Sequence, residues 1–226
     1  MAIASGPDIV EDGLVLYLDA ANERSYPGSG TTWSDLVGSN NATLTNGPTY
    51  NSGNSGSFVF DGVNDYADMS SYNLGLNVNN FSAEFAFQYS SIGNKNTLIS
   101  INYAYPSSGY LIRQDSNNKI IVFSDHGSET FIVSNTTISA SQIYYATICQ
   151  SNNTCSIYLN GVLDRTATLL NPILDVSKEV YLGRRGLPAI GAYLDGNMYN
   201  IKIYNRALTA EEIAQNFNAT RSRYGI

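Results

Sequence analysis

Apolar side chains recur at every second position in many short stretches of this chain, and Gly, Asn, Asp and Ser crowd the gaps between them. A period of two puts one side of an extended segment on a core and the other towards water, so each stretch reads as a β-strand. Strands are expected at 13–19, 57–61, 65–69, 81–89, 97–103, 109–115, 119–125, 129–134, 143–150, 155–161, 162–168, 179–185 and 196–205. Asn-rich or Asn-Gly connections at 116–118 and 160–161 supply residues that tolerate positive φ, which predicts hairpins and antiparallel pairing. In "FSAEFAFQY", Phe81, Ala83, Phe85, Phe87 and Tyr89 share the inward face. Ser82, Glu84, Ala86 and Gln88 share the other, expected to meet solvent or the rim of a second sheet.

Helical periodicity is confined to the end of the chain. In "LTAEEIAQNF", Thr209 with Glu212 forms a capping box, Leu208 with Ile213 a hydrophobic staple, and Ile213 with Phe217 an apolar stripe. The expected fold class is therefore all-β, an antiparallel two-sheet sandwich with one short C-terminal helix. Its body is expected over 13–218, between an arm at 1–12 and a tail at 219–226. Residues 20–56 lack clean alternation apart from "ATLTN" and read as a surface excursion packed by Tyr26, Trp33 and Tyr50.

Charge narrows the partners. The 226 residues carry 12 Lys and Arg against 19 Asp and Glu, a formal net charge of −7, which offers no general attraction to nucleic acid or anionic lipid. No apolar run approaches the roughly 20 residues that span a bilayer. "MAIASGPDIVEDG" lacks the basic and apolar regions of a secretion signal, so the mature chain is expected to begin near Met1.

Four segments in order, "GLVLYLDAANERSYPGSGTTWSDLVGSNNATLTNGPTY", "FVFDGVNDY", "IYLNG" and "LDGNMYNIKIYNRALTAEEI", resemble the laminin-G-like branch of the concanavalin A-like lectin/glucanase superfamily. The resemblance runs from about Gly13 to Phe217 and implies a jelly-roll sandwich. Its opening segment is similar to virion structural proteins of tailed bacteriophages. That implies a decoration or tail-fibre role on the virion surface, with other virion proteins and host surface polysaccharide as partners. The alternative is a soluble lectin module of a cellular or secreted protein.

Catalysis is not expected. Glucanases of the superfamily carry Glu-x-Asp-x-x-Glu on one strand, and no such spacing occurs here. The single histidine, His126, sits in "SDHGSE", which reads as a turn. Asp61, Asn64 and Asp65 read as a turn around Gly62, with calcium as the alternative; no cofactor is required. Tyr103, Tyr105 and Tyr110 in "INYAYPSSGYLIR" and Arg184, Arg185 and Tyr193 in "GRRGLPAIGAY" are the carbohydrate candidates. The tyrosines serve equally well to pack against a neighbouring copy of the chain. Arg221, Arg223, Tyr224 and Ile226 in the tail are candidates for docking to a particle. Cys149 and Cys155 lie on opposite faces if the turn is the two residues Asn152-Asn153 and directly across from each other, able to bond, if the loop has three; they are expected as free thiols because a phage protein assembled inside the cell keeps them reduced.

Overall fold

The computed structural model describes residues 7–53, 56–69, 74, 76, 79–93, 96–104, 108–125, 129–170, 179–186 and 192–226. In chain order its strands are β1 (Leu14–Asp19), β2 (Thr32–Trp33), β3 (Ala42–Thr45), β4 (Thr49–Asn51), β5 (Ser57–Asp61), β6 (Tyr66–Asp68), β7 (Asn80–Tyr89) and β8 (Thr97–Ala104). There follow β9 (Ser108–Gln114), β10 (Lys119–Asp125), β11 (Glu129–Thr137), β12 (Ile143–Ser151), β13 (Thr154–Leu159), β14 (Val162–Thr168), β15 (Val180–Leu182), β16 (Asp195–Tyr204) and the helix α1 (Ala210–Tyr224). One antiparallel sheet runs β14-β13-β12-β7-β16-β5-β4, with β1 also paired to β16. The other, also antiparallel, runs β11-β10-β9-β8-β15-β6-β3-β2.

The two sheets enclose one core, as the alternation requires. Phe81, Phe85, Phe87, Met198, Ile201 and Ile203 of the first sheet meet Tyr110, Ile112, Ile120, Val122 and Leu182 of the second in a single apolar cluster. The excursion at 20–56 forms a strand at "ATLTN", β3, and adds two short strands that the alternation does not show, β2 and β4. Its aromatic packing is as expected: Trp33 is fully buried, Tyr26 stands edge-on to Phe58 at 4.7 Å, and Tyr50 lies 5.1 Å from Tyr26.

Two expectations are corrected here. The polar face of β7 does not meet solvent; Ser82, Glu84 and Ala86 are sealed beneath α1, which lies on the outer face of the first sheet. The helix also runs on to Tyr224 and ends at Gly225, whose φ of 70° closes it with an N–H to the Arg221 carbonyl. No breaker interrupts 218–224, and Thr220 continues the buried stripe of Ile213 and Phe217 through to Tyr224. The segment read as a tail is the helix's last two turns.

Both described chain ends belong to this same face. Val10 N donates to Asn216 Oδ1 at 2.8 Å, and the Tyr204 hydroxyl donates to the Val10 carbonyl at 3.0 Å, so the N-terminal arm is stitched to α1. Ile226 packs beside the cluster of Tyr199, Phe217 and Tyr224.

Candidate functional site

The outer face of the second sheet is the opposite side of the sandwich. There β6 pairs with β15 so that Ala67 and Leu182 face each other inward while Asp68 and Tyr181 share an outward rung. Tyr66, two residues before Asp68, points the same way and meets Tyr181 edge-on, with ring centroids 5.8 Å apart. Gly183 ends β15 in the left-handed region at φ 80°, where a Cβ would fall 2.9 Å from the Phe60 ring. Only glycine makes that turn against Phe60, and the turn folds Arg184 back over the two tyrosines.

The guanidinium carbon of Arg184 lies 3.8 Å from the Tyr181 ring centroid and 4.2 Å from that of Tyr66. The backbone holds it there: Gly183 N donates to Leu98 O at 3.0 Å, Leu194 N donates to Gly183 O at 2.8 Å, and Ser100 Oγ donates to Arg184 O at 3.0 Å. A planar cation over two aromatic faces gains about 0.5–2 kcal/mol and fixes the plane in which its N–H groups point. The Arg184 Nε has no hydrogen-bond partner among the described residues. Burial chiefly, and then Glu179, pushes the Tyr181 phenol up, so it stays a neutral donor and acceptor at physiological pH. Tyr181 is itself only 6% exposed, its face taken by the guanidinium, so the partly exposed Tyr66 ring, the Arg184 plane and the Asp68 carboxylate are what can pack on a sugar ring and exchange hydrogen bonds with its hydroxyls.

Of the residues singled out in sequence, the structure brings Arg184 into this cluster. Arg185 and Tyr193 are both half-buried. Tyr103 is in β8, where its side chain is outside the described residues, as are the whole of Tyr105 and His126. Tyr110 is a correction. It sits in β9 opposite Ile101, faces the core and packs edge-on against Phe81 at 4.8 Å, so its ring is not available to a ligand. Tyr110 already falls within the strand expected at 109–115, and its alternation with the buried Ile112 puts the ring on the inward face.

Asp61 and Asp65 close the loop between β5 and β6. Asp61 Oδ1 accepts from the N–H groups of Val63 (2.8 Å), Asn64 (3.2 Å) and Asp65 (3.3 Å), and Asp65 Oδ2 accepts from Asp61 N at 3.2 Å. The Val63 bond chiefly holds the Asp61 carboxyl below its ordinary range, whereas burial, followed by the Asp61 charge, raises that of Asp65. Asn64 is exposed, and its carbonyl accepts from Asn46 Nδ2 at 2.9 Å. Among the described residues no three His, Cys, Asp or Glu side chains converge on a point that could hold an ion.

The docking candidates in the tail are corrected as well. Arg223 forms an ion pair with Asp19 at 2.7 Å, Tyr224 is buried against Tyr199 and accepts from Asn200 Nδ2, and Ile226 is partly covered. These groups are spent on this chain's own body; Arg221 alone of the four is exposed.

Tyr66 and Tyr181 were missed. Each sits at an outward position of its alternation, around Ala67 and between Val180 and Leu182, but nothing local says that strands so far apart in sequence are neighbours.

Residues 60–214 match the family model described as the concanavalin A-like lectin/glucanases superfamily. No curated protein matches in sequence. Domain 4 of AbnA, an extracellular GH43 arabinanase of Geobacillus stearothermophilus whose structure holds arabinotriose, is similar in fold. The TM-score is 0.75 at 16% identity, over 92% of this chain and all (100%) of that one. Trypanosoma rangeli sialidase matches with a TM-score of 0.71 at 14% identity, over 98% of this chain but only 37% of its own length. The binding domain of Paraclostridial Mosquitocidal Protein 1 matches at 0.69 and 17% identity, over 92% of this chain and 52% of that chain. At such identities the likeness is one of fold alone.

Proposed function

The chain belongs to the concanavalin A-like lectin/glucanases superfamily, and from that premise we propose that it is a non-enzymatic carbohydrate-binding module whose glycan site is built on Tyr66, Tyr181 and Arg184. The observation that carries the reading is the guanidinium held over two tyrosine rings at 3.8 and 4.2 Å on the outer face of one sheet. The arabinotriose in the similar arabinanase domain supports a sugar as the ligand class. The absence of the glucanase carboxylate spacing and the sealing of Glu84 beneath α1 support binding without turnover. Asp61 spends its Oδ1 on three backbone N–H groups, which favours a turn that needs no calcium.

The finer reading places the module on the surface of a tailed-phage virion, where it contacts host polysaccharide beside other virion proteins. Both described chain ends lie on the sheet face opposite the Tyr66–Tyr181–Arg184 cluster, a geometry that suits tethering with the binding face outward. The soluble lectin of a cellular or secreted protein is the competing setting, and location of the chain in purified particles separates the two.

The binding test is a polysaccharide and oligosaccharide array with wild type, Tyr181→Ala and Arg184→Ala, each with and without a chelator. Retained glycans, lost by roughly tenfold or more in both variants and indifferent to chelator, are the expected result. Failure to retain any glycan overturns the reading, and release of reducing ends from a bound polysaccharide overturns its non-enzymatic half.

A further inference from the structure

The far edge of the second sheet carries a separate group of residues that the Tyr66–Tyr181–Arg184 cluster does not use. Phe131 of β11 stands 59% exposed on the outer face, with its ring centroid 5.8 Å from that of Phe123 on β10. Phe123 in turn carries the Arg113 guanidinium at 4.8 Å. An aromatic ring left that open on a strand buries little and contributes little to folding, so its position invites a ligand.

Beside it lies a groove of about 290 Å³ where the edge strands of the two sheets meet, lined by Lys119, Phe131, Val133, Asn135, Arg165 and Ala167 among others. The groove has built walls. The Asp164 carboxylate of β14 accepts the N–H groups of Asn135 and Thr136 at the end of β11, Thr136 at 3.0 Å, and Arg165 Nη1 donates to Asn135 Oδ1 at 3.3 Å. Across this patch the chain, with a net charge of −7, concentrates Arg113, Lys119 and Arg165. Of the carboxylates described beside the groove, Asp164 is engaged as above and Asp115 Oδ1 accepts from Asn117 N and Lys119 N at 2.8 Å each.

We propose that this seam between β11 and β14 is a second glycan site that takes an anionic polysaccharide, with the Phe131 ring against a sugar face and Lys119 and Arg165 on its carboxylate or sulfate groups. A cation pair alone would hold any polyanion weakly; the exposed ring beside it favours a chain that alternates an apolar sugar face with a charge. The site rests on the carbohydrate-binding reading and extends it to a ligand class that the first cluster does not specify.

The test compares dextran, dextran sulfate, polygalacturonate and single-stranded DNA on immobilised wild type, Phe131→Ala, Lys119→Ala with Arg165→Ala, and Tyr181→Ala, with thermal melts to confirm that each variant folds. Binding of dextran sulfate or polygalacturonate that falls roughly tenfold in Phe131→Ala and in the double variant, weakens with added salt and persists in Tyr181→Ala is expected. The sulfated and carboxylated polymers separate the two anion sources. Equal binding of DNA with no loss in Phe131→Ala shows a site for charge alone and overturns the proposal. Neutral glycans bound while both acidic polymers fail overturn this site and leave the carbohydrate reading standing; no glycan bound at all overturns both.

Discussion

Glu84 and Lys202 face each other at 3.7 Å with neither side chain exposed to solvent, in the layer between α1 and the first sheet. Tyr145 bridges them, donating to Glu84 Oε2 at 2.7 Å and accepting from Lys202 Nζ at 2.9 Å. Asn216 of α1 donates to the same carboxylate at 3.0 Å, and Thr147 to its other oxygen at 3.3 Å. Burial pulls the Lys202 pKa down while the Glu84 charge holds it up. The carboxylate is thus the common acceptor that lets a helix sit on a sheet face containing a lysine.

Removing that acceptor strands a buried ammonium and three donors. Glu84→Ala is expected to lower stability by about 3–5 kcal/mol. Replacing both charges, as Glu84→Gln with Lys202→Met, is expected to cost clearly less than Glu84→Ala alone. Urea unfolding of the two variants against wild type checks the order, and equal losses would show that the pair is not coupled.

Tyr110 packs in the core against Phe81. Its hydroxyl is buried with no hydrogen-bond partner among the described residues. Tyr110→Phe is expected to keep glycan binding and to leave stability unchanged or raised by about 1 kcal/mol, since it removes an unpaired polar group. Tyr110→Ala is expected to cost about 3–5 kcal/mol through the cavity beside Phe81. Loss of binding in Tyr110→Phe would return the residue to the site.

Cys149 and Cys155 flank a two-residue turn in which Cys149 pairs with Ser156 and Gln150 with Cys155. The thiols therefore point to opposite faces, Cys155 into the inter-sheet core and Cys149 towards the Leu208 carbonyl at 3.5 Å. Burial raises both thiol pKa values. Both are expected to resist a thiol reagent in the native protein and to react on unfolding, with no disulfide formed by oxidant under native conditions. Mass spectrometry after non-reducing alkylation reads the result.

Alkaline pH is expected to unfold the protein. Burial, as the leading cause, pushes the phenols of Tyr17, Tyr89, Tyr110, Tyr145, Tyr204 and Tyr224 upward. Above about pH 10 the unfolded chain releases these protons while the folded chain keeps them, so stability falls by about 1.4 kcal/mol per tyrosine for each pH unit. Lys202 works in the opposite sense below its ordinary pKa of 10.5, because there the unfolded chain holds the extra proton, but one group is outnumbered. Ultraviolet titration should show these tyrosines ionising together with the loss of β-structure. Independent ionisation in a chain that stays folded would contradict their burial.

Strand identity was legible because alternation is a local property: "FSAEFAFQY" declares its inward residues without reference to any other part of the chain, and Thr209 with Glu212 declares the helix start. The family was legible for a related reason, since the order of its short motifs is itself a sequence feature. The helix end was not, because Thr220 breaks the apolar stripe on paper and only the buried bed beneath it shows that the stripe continues to Tyr224.

What covers the second face of β7 is likewise a tertiary matter. The sequence determines that Glu84 points away from the core, but only the docking of α1 decides that it points into a sealed layer and needs Lys202. The candidate site has the same character. Alternation places Tyr66 and Tyr181 outward, yet they become neighbours only because β6 and β15 pair, and Arg184 joins them only because Gly183 turns against Phe60. Local patterning fixes which side of a strand a residue occupies; strand pairing across long stretches of chain, set by the shared core, decides which side chains meet.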